Sequence, residues 1–302
     1  MKNIIRVKIK RFFFLIQRSI RKNKTRVFIA SLLAVFSPRV RLDKAESSFN
    51  SLKNDNEYTA KLKSSGYVNI PDILLPEKNL ASIFKKIDGL ELHDPYINLD
   101  GYTVDNIPSI AHCSFYSRES LCDIVEIIHL ANDPGILQLA KDYLNVTPTI
   151  SNISLWWGTY SESDPRDNEL FHRDKDDYNF LKLFVYLTNT GAKDYNLVFV
   201  ENSLNSIKAT KKLRYSKDEI IQMFGKESIV HLTGGRGTGF FGANYSVHNG
   251  TTPVSKERKT LVLQIQYSVR GIMGEEYKAV AANKEVKRLN INPWINRLML
   301  KL

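Results

Sequence analysis

The stretch FHRDKDDYNFLKLFVYLTNT, residues 171–190, joins a cluster of charged side chains to a run of aromatic and β-branched residues. That run predicts a β-strand, because such side chains fit a pleated surface that is at least half buried. Similar short runs, bounded by Gly, Asn, Pro and Asp, recur in the second half of the chain: TISNISLWWGTY, NLVFVENS, SIVHLTG, TGFFGANYSVH and KTLVLQIQYSV. Their spacing predicts antiparallel all-β structure that begins after Thr147.

The first half of the chain has a different character. Residues 119–144, ESLCDIVEIIHLANDPGILQLAKDYL, predict two helices separated by the turn sequence Asn-Asp-Pro-Gly. One later helix, SKDEIIQMFGKE at residues 216–227, interrupts the strands. Helices first and strands later predict an α+β chain whose second half is a sandwich or a jelly roll.

The charge of the chain is distributed unevenly. Residues 1–50 contain 13 Lys and Arg against two acidic residues, which accounts for the whole net charge of +11, and the rest of the chain is balanced. We therefore predict a basic N-terminal arm, residues 1–50, followed by one globular domain, residues 51–302. The balanced charge of the domain argues against a nucleic-acid partner, whereas the arm favours an anionic one.

The sequence of the arm predicts a basic amphipathic helix. Residues 1–24 place Ile5, Ile9, Phe12, Ile16 and Ile20 at helical spacing, with Lys and Arg largely on other faces. Such a helix is suited to an anionic membrane surface. The alternative is an arm that packs on the domain or on a partner subunit.

The arm does not predict a membrane span or a cleaved signal. The apolar run 27–36 is too short to cross a bilayer, and no small-residue cleavage site follows it. Cys113 and Cys122 form no CxxC motif, which suits a reducing compartment. We predict a cytoplasmic protein with peripheral contact between residues 1–36 and the inner membrane surface.

Metal-binding side chains lie within the opening stretch. His172 and Asp174 are two residues apart, so on a strand they point to the same face. Together with a third ligand from another strand they would form the facial triad of a non-haem iron(II) centre. A structural histidine bonded to a nearby aspartate would show the same spacing. Further along, His248 ends an apolar strand, and Arg258 follows at the start of the next, where a guanidinium can clamp a carboxylate.

The stretch at residues 171–190, followed by VHNGTTPVSKERKTLVL at 247–263, resembles the phytanoyl-CoA dioxygenase-like branch of the Fe(II)/2-oxoglutarate oxygenases. The resemblance extends over about residues 57–270. It implies a double-stranded β-helix (a jelly-roll, cupin-like core) with flanking helices. It also implies that His172, Asp174 and His248 ligate Fe(II), and that Arg258 binds the distal carboxylate of 2-oxoglutarate.

The activity implied by this resemblance is the hydroxylation of an aliphatic C–H bond with O2, accompanied by release of succinate and CO2. Asp174 favours hydroxylation over halogenation, since halogenating relatives have a small residue at this position. The substrate class stays open between a small molecule, a lipid and a glycolipid. Two other functions remain: a jelly-roll metalloprotein with the same triad but without 2-oxoglutarate, and a catalytically silent binding module.

Several further residues are candidates for the co-substrate pocket. Lys182 and Tyr186 have the same parity as His172, which predicts that they point inward. One of the tryptophans at 156–157 is a candidate lining residue. Many relatives carry Ser or Thr two residues after the distal histidine, whereas Gly250 occupies that position here, so we expect Thr251 or Thr252 to serve instead.

Other motifs predict no chemistry. GTGFFG at residues 237–242 matches a dinucleotide-binding pattern, but a strand follows it instead of a helix. Asp176 and Asp177 are expected in a solvated turn. The remaining histidines have no partner at ligand spacing and are expected to be structural or at the surface: His93, His112, His129 and His231.

Overall fold

The computed structural model describes residues 2–54, 57–271 and 278–302, with the side chains of 2–10 and 54 outside the description. The predictions for Ile5 and Ile9 therefore fall outside the described side chains. The α-helices are α1 (Lys2–Ser19), α2 (Asn23–Ala34), α3 (Asn50–Asn54), α4 (Tyr58–Ser65), α5 (Glu77–Ile87), α6 (Arg118–Cys122), α7 (Val125–Ala131), α8 (Pro134–Leu144), α9 (Lys217–Phe224), α10 (Lys284–Arg288) and α11 (Pro293–Asn296). The strands are β1 (Tyr67–Ile70), β2 (Leu92–Asp94), β3 (Leu99–Tyr102), β4 (Cys113–Tyr116), β5 (Thr149–Gly158), β6 (Phe180–Tyr186), β7 (Leu197–Val200), β8 (Ile229–Leu232), β9 (Gly239–Gly242), β10 (His248–Gly250), β11 (Thr260–Ser268), β12 (Val280–Ala281) and β13 (Leu300–Lys301).

The strands between residues 67 and 268 build two sheets that face each other. The large sheet has the order β1-β9-β6-β11-β5-β4-β2-β3, and the small sheet has the order β10-β7-β8. Neighbouring strands in both sheets run antiparallel. This is the jelly-roll architecture of an α+β protein, as the sequence predicted.

Residue alternation along β11 shows how the layers are arranged. Val262 packs with Phe184 and Phe199 between the two sheets. Leu261 and Leu263 point the other way, into the main core that also contains the helices. The period of two along the strand therefore separates an inner face, which lines the barrel, from an outer face covered by helices.

Two helices begin where the sequence predicts, at the Asn-Asp-Pro-Gly turn and near Ser216. The side chain of Asp133 accepts hydrogen bonds from the amides of Gly135 and Ile136 and caps α8. Ser216 forms a reciprocal capping box with Glu219 at the start of α9. Each cap satisfies amides that have no partner inside the helix, which fixes the helix start.

The N-terminal segment lies against the domain. Arg26 is fully buried and donates to the carbonyl oxygens of Gln17, Ile20 and Asp177. Its guanidinium also lies 4.5 Å from the centre of the Tyr245 ring.

The boundary between arm and domain at residue 50 stays a prediction. Within the described part of the chain, no helix combines the length and apolarity needed to cross a membrane.

Candidate metal centre and its cavity

Two histidines from distant parts of the sequence lie side by side. The amide of His172 donates to the carbonyl of His248 at 2.9 Å, and the amide of His248 donates back at 3.0 Å. Their ring centres are 4.4 Å apart. This pair of reciprocal bonds is the antiparallel pattern that places two side chains on one face of a ladder. The edge of the small sheet thus joins the H-x-D segment to the downstream histidine.

Asp174 completes the group. Its Oδ1 is 3.3 Å from His172 Nε2, and its Oδ2 is 3.3 Å from His248 Nε2. One possible ligand atom from each residue lies within 4.8 Å of the others. Metal–ligand bonds of about 2.1 Å place adjacent ligand atoms about 3 Å apart. The three side chains are therefore spaced for one metal ion, on one side of which other ligands have access.

Hydrogen bonds orient both imidazoles. His172 Nδ1 lies 2.8 Å from the carbonyl oxygen of Leu170, and His248 Nδ1 lies 3.0 Å from that of Ser246. A carbonyl accepts only, so Nδ1 carries the proton in each ring and Nε2 presents its lone pair. Both lone pairs are directed towards Asp174. The side-chain amide of Asn244 also donates to His248 Nε2, at 3.1 Å.

The electrostatics of the site match its donor set. Burial, aided by neighbouring His248, lowers the pKa of His172, which favours the neutral imidazole that a metal requires. Burial raises the pKa of the Asp174 carboxyl, but Lys182 and the two histidines outweigh it and hold that pKa well below its usual range. Asp174 is consequently an anion at neutral pH.

The three residues line a cavity of about 570 Å³. Strand residues on its wall include Asn152, Ser154 and Trp156 from β5, Phe184 from β6 and Gln264 from β11. Of the two adjacent tryptophans, Trp156 lines the cavity, whereas Trp157 packs in the main core. The Nε1–H of Trp157 donates to the hydroxyl of Tyr116. The wall of the cavity thus combines amide and hydroxyl groups with a few aromatic rings.

Lys182 is a buried cation on the wall of this cavity. Its Nζ lies 2.7 Å from Asp174 Oδ2 and 3.0 Å from Asp176 Oδ2. Burial alone would lower the pKa of Lys182, but the two aspartates raise it above its ordinary value. Asp176 is only partly exposed and lines the cavity beside Lys182. The H-x-D segment and β6 are therefore linked by ion pairs inside the barrel.

Two of the sequence-predicted pocket residues lie elsewhere. Arg258 is exposed and pairs with Asp194 at 2.7 Å, and it is not among the residues that line the cavity. Tyr186 points inward, as its parity predicts, but its hydroxyl donates to Leu232 and accepts from the Leu197 amide. The structure brings neither residue to the triad, because both lie towards the other end of the barrel strands.

The glycine after the distal histidine has a steric explanation. A Cβ at Gly250 would lie 2.3 Å from the hydroxyl oxygen of Tyr195, so the ring occupies the space that a serine or threonine needs. The two threonines that follow are engaged elsewhere. Thr251 donates to backbone carbonyls of Asp194 and Asn196, and Thr252 donates to Glu169. Neither threonine lines the cavity.

The prediction of a solvated turn is wrong for Asp177. This side chain is fully buried and accepts hydrogen bonds from the amides of Tyr178, Arg270 and Gly271. Three backbone donors replace water around the carboxylate, which explains its burial. Single-sequence reasoning missed this because two of the donors come from a segment about 90 residues away.

Sequence reasoning also missed a buried network beside the triad. Glu169 binds His112 Nδ1 at 2.5 Å and accepts from Thr252 Oγ1 at 2.7 Å. Its backbone carbonyl accepts from Asn249 at 2.8 Å. Glu169 therefore joins the segment before His172 to the segment after His248.

His93, expected to be structural or at the surface, lies on the cavity wall.

The fold resembles those of solved oxygenases. EctD from S. alaskensis with bound Fe is 14% identical, with a TM-score of 0.54 over 88% of this chain and 93% of that one. EctD has also been solved with 2-oxoglutarate and 5-hydroxyectoine, at the same TM-score. The non-haem α-ketoglutarate-dependent epimerase SnoN from nogalamycin biosynthesis is 17% identical, with a TM-score of 0.51 over 70% and 81% of the chains.

These likenesses concern the fold, since the identities are low. No protein family and no curated protein sequence matches the chain. The chain thus shares its fold with enzymes dependent on iron and 2-oxoglutarate.

Proposed function

We propose that this protein is a non-haem Fe(II)/2-oxoglutarate-dependent dioxygenase of the phytanoyl-CoA dioxygenase-like type, which hydroxylates an aliphatic C–H bond. The observation that carries the proposal is the convergence of His172, Asp174 and His248 at the wall of a deep cavity. Two imidazoles and one carboxylate suit iron(II) and leave positions open for other ligands. When bound, iron would activate O2, one oxygen atom of which would oxidise 2-oxoglutarate to succinate and CO2 while the other hydroxylates the substrate.

The residues of this chain hold and orient the reactants. His172 and His248 present Nε2 to the metal because their Nδ1 protons are bound to backbone carbonyls. Asp174 supplies the negative charge. Lys182 lines the cavity and lies within ion-pair distance of Asp174, so we assign the distal carboxylate of 2-oxoglutarate to it, with Arg258 as the alternative.

The cavity wall favours a polar substrate. Asn152, Ser154 and Gln264 present amide and hydroxyl groups on adjacent strands. An alkyl chain placed against such groups would leave them unpaired, at a cost of about 1–3 kcal/mol each. We therefore infer a small polar molecule, or the sugar portion of a glycolipid, in preference to the acyl chain of a lipid.

The position of Arg258 supports a second candidate function, a metalloprotein with the same triad that does not use 2-oxoglutarate. An arginine already paired with Asp194 offers no clamp in the cavity, which is what a triad metalloprotein without 2-oxoglutarate would show. Both candidates share the metal site and differ only in the co-substrate.

One experiment separates the candidates. Calorimetry under anaerobic conditions should show binding of 2-oxoglutarate to the Mn(II)-loaded protein but not to the metal-free protein. With Fe(II) and O2 the protein should release succinate, and His172→Ala should abolish this release. Metal binding without 2-oxoglutarate binding would overturn the dioxygenase in favour of the metalloprotein. If the protein binds no metal, the remaining candidate function is the catalytically silent binding module.

A further inference from the structure

The N-terminal helices present large apolar side chains to solvent. On α2, Arg26 and Ala30 face the domain and are buried. Other side chains of this segment point away from the domain: Phe28 is 63% exposed, Leu32 54%, Val35 77% and Phe36 76%. Within the described side chains, seven of the fourteen exposed large hydrophobic residues fall between residues 12 and 36. Such a concentration marks an interaction surface.

The preceding helix also exposes large apolar side chains. Phe12, Phe13 and Leu15 on α1 are exposed, whereas Gln17 is buried against the carbonyl of Lys175. We call the exposed apolar residues of α1 and α2, together with Val35 and Phe36, the apolar face: Phe12, Phe13, Leu15, Phe28, Leu32, Val35 and Phe36.

The charge around the apolar face identifies the partner. Basic residues exposed on the same segment are Arg11, Arg21, Lys22, Lys24, Arg39 and Arg41. Two copies of this chain would bring like charges together at such a surface. A nucleic acid would satisfy the charge but would leave the aliphatic and phenyl groups without an apolar environment. An anionic phospholipid surface satisfies both, because it offers phosphates above an acyl layer.

Two grooves flank α2 and each contains basic side chains. One, of about 390 Å³, is lined by Lys24, Lys63, Asn23 and Asn205. The other, of about 590 Å³, is lined by Arg39, Lys141, Ser31 and Thr147, with Asp142 as its acidic member. Each groove contains two cationic side chains, and Lys and Arg are side chains that bind phosphate groups.

We propose that α1 and α2 form a docking surface for an anionic phospholipid bilayer. The apolar face enters the boundary between headgroups and acyl chains, and the two grooves receive headgroup phosphates. The docking surface is connected to the metal centre, because Gln17 and Arg26 bind the carbonyls of Lys175 and Asp177, which flank Asp176. The proposal stands independently of the catalytic one, since it rests on different residues.

Vesicle co-sedimentation of the full chain tests the proposal. The protein should bind vesicles of phosphatidylcholine mixed with phosphatidylglycerol, bind phosphatidylcholine alone far more weakly, and lose affinity as salt rises. The double variant Phe28→Ser/Phe36→Ser should bind about tenfold more weakly or worse. The variant Lys24→Gln/Arg39→Gln should lose the preference for the anionic lipid.

A matched control is the double variant Ile207→Ser/Leu213→Ser, since both residues are exposed to a similar degree outside the apolar face. It should bind vesicles as the unaltered protein does, and thermal unfolding should show that all variants fold. Equal binding of the two vesicle types, or equal loss in the control, would overturn the proposal. Two further results would overturn it if the unaltered protein does not bind vesicles. One is a dimer in solution, and the other is binding of RNA, in each case lost in the Phe28→Ser/Phe36→Ser variant.

Discussion

Lys182 Nζ lies 2.7 Å from Oδ2 of Asp174, so the carboxylate of the candidate metal site is also one half of a buried ion pair. The same ammonium group lies 3.0 Å from Asp176. Two carboxylates thus share one cation at the cavity wall. This arrangement stabilises Asp174 as an anion and links it through Lys182 to Asp176.

The first prediction concerns Lys182. We expect Lys182→Met to weaken 2-oxoglutarate binding about tenfold or more, because the buried positive charge that faces the co-substrate is lost. Binding of Mn(II) should persist, since all three ligands remain. Calorimetry with Mn(II)-loaded protein measures both affinities. Arg258→Met serves as the control and should change the 2-oxoglutarate affinity by less than about twofold. A larger effect at Arg258 than at Lys182 would reverse the assignment.

A second prediction concerns Glu169, which binds His112 and Thr252 between the two metal-binding segments. Glu169→Gln should lower metal affinity about tenfold, because residues that support ligand segments contribute effects of that size. Metal titration followed by calorimetry checks this. Glu162→Gln removes a carboxylate from an exposed pair with Lys256 and should leave metal affinity unchanged. Equal affinities in both variants would show that the network does not position the ligands.

Arg26 gives a third prediction, on stability. Arg26→Met leaves the buried carbonyls of Gln17, Ile20 and Asp177 without their donor. The free energy of unfolding should fall by about 2–4 kcal/mol. Urea denaturation measures the change, and Arg21→Met, at an exposed position, should change it by less than about 0.5 kcal/mol. A small effect at Arg26 would mean that the N-terminal helices contribute little to the stability of the domain.

The fourth prediction is a pH dependence at Glu126 on α7. Burial raises the pKa of this carboxyl, but hydrogen bonds from Lys86 and Ser82 on α5 outweigh it and lower the pKa below its ordinary value. A depressed folded-state pKa stabilises the fold above the unfolded value of about 4.3, and that contribution is lost as the pH falls through the folded value.

Urea midpoints measured across the acid range test this sign. The unaltered protein should lose stability as the pH falls below about 4.3, and Glu126→Gln should show a shallower decline over the same range. Glu119→Gln, at an exposed position, is the control and should follow the unaltered protein. A steeper decline in Glu126→Gln would contradict the prediction.

The sequence alone determined the alternation that builds the barrel and the H-x-D spacing that puts His172 and Asp174 together. Both are local properties, since side chains two apart on extended backbone share a face. The downstream histidine could also be named from the sequence, but the prediction that His248 ends a strand is wrong, since it is the first residue of β10. The break between two helices at residues 132–135 and the helix that begins near Ser216 were readable for the same reason, as the caps that the structure shows there bond amides only two or three residues away.

Only the tertiary structure decided which charges meet. Lys182 reaches Asp174, Arg258 pairs with Asp194 instead of entering the cavity, and Asp177 is buried under backbone amides of residues 270 and 271. Parity along a strand tells which face a side chain occupies, but not which end of the barrel it reaches. That end is set by sheet register and by the path of the loops, which depend on pairings between segments far apart in the chain.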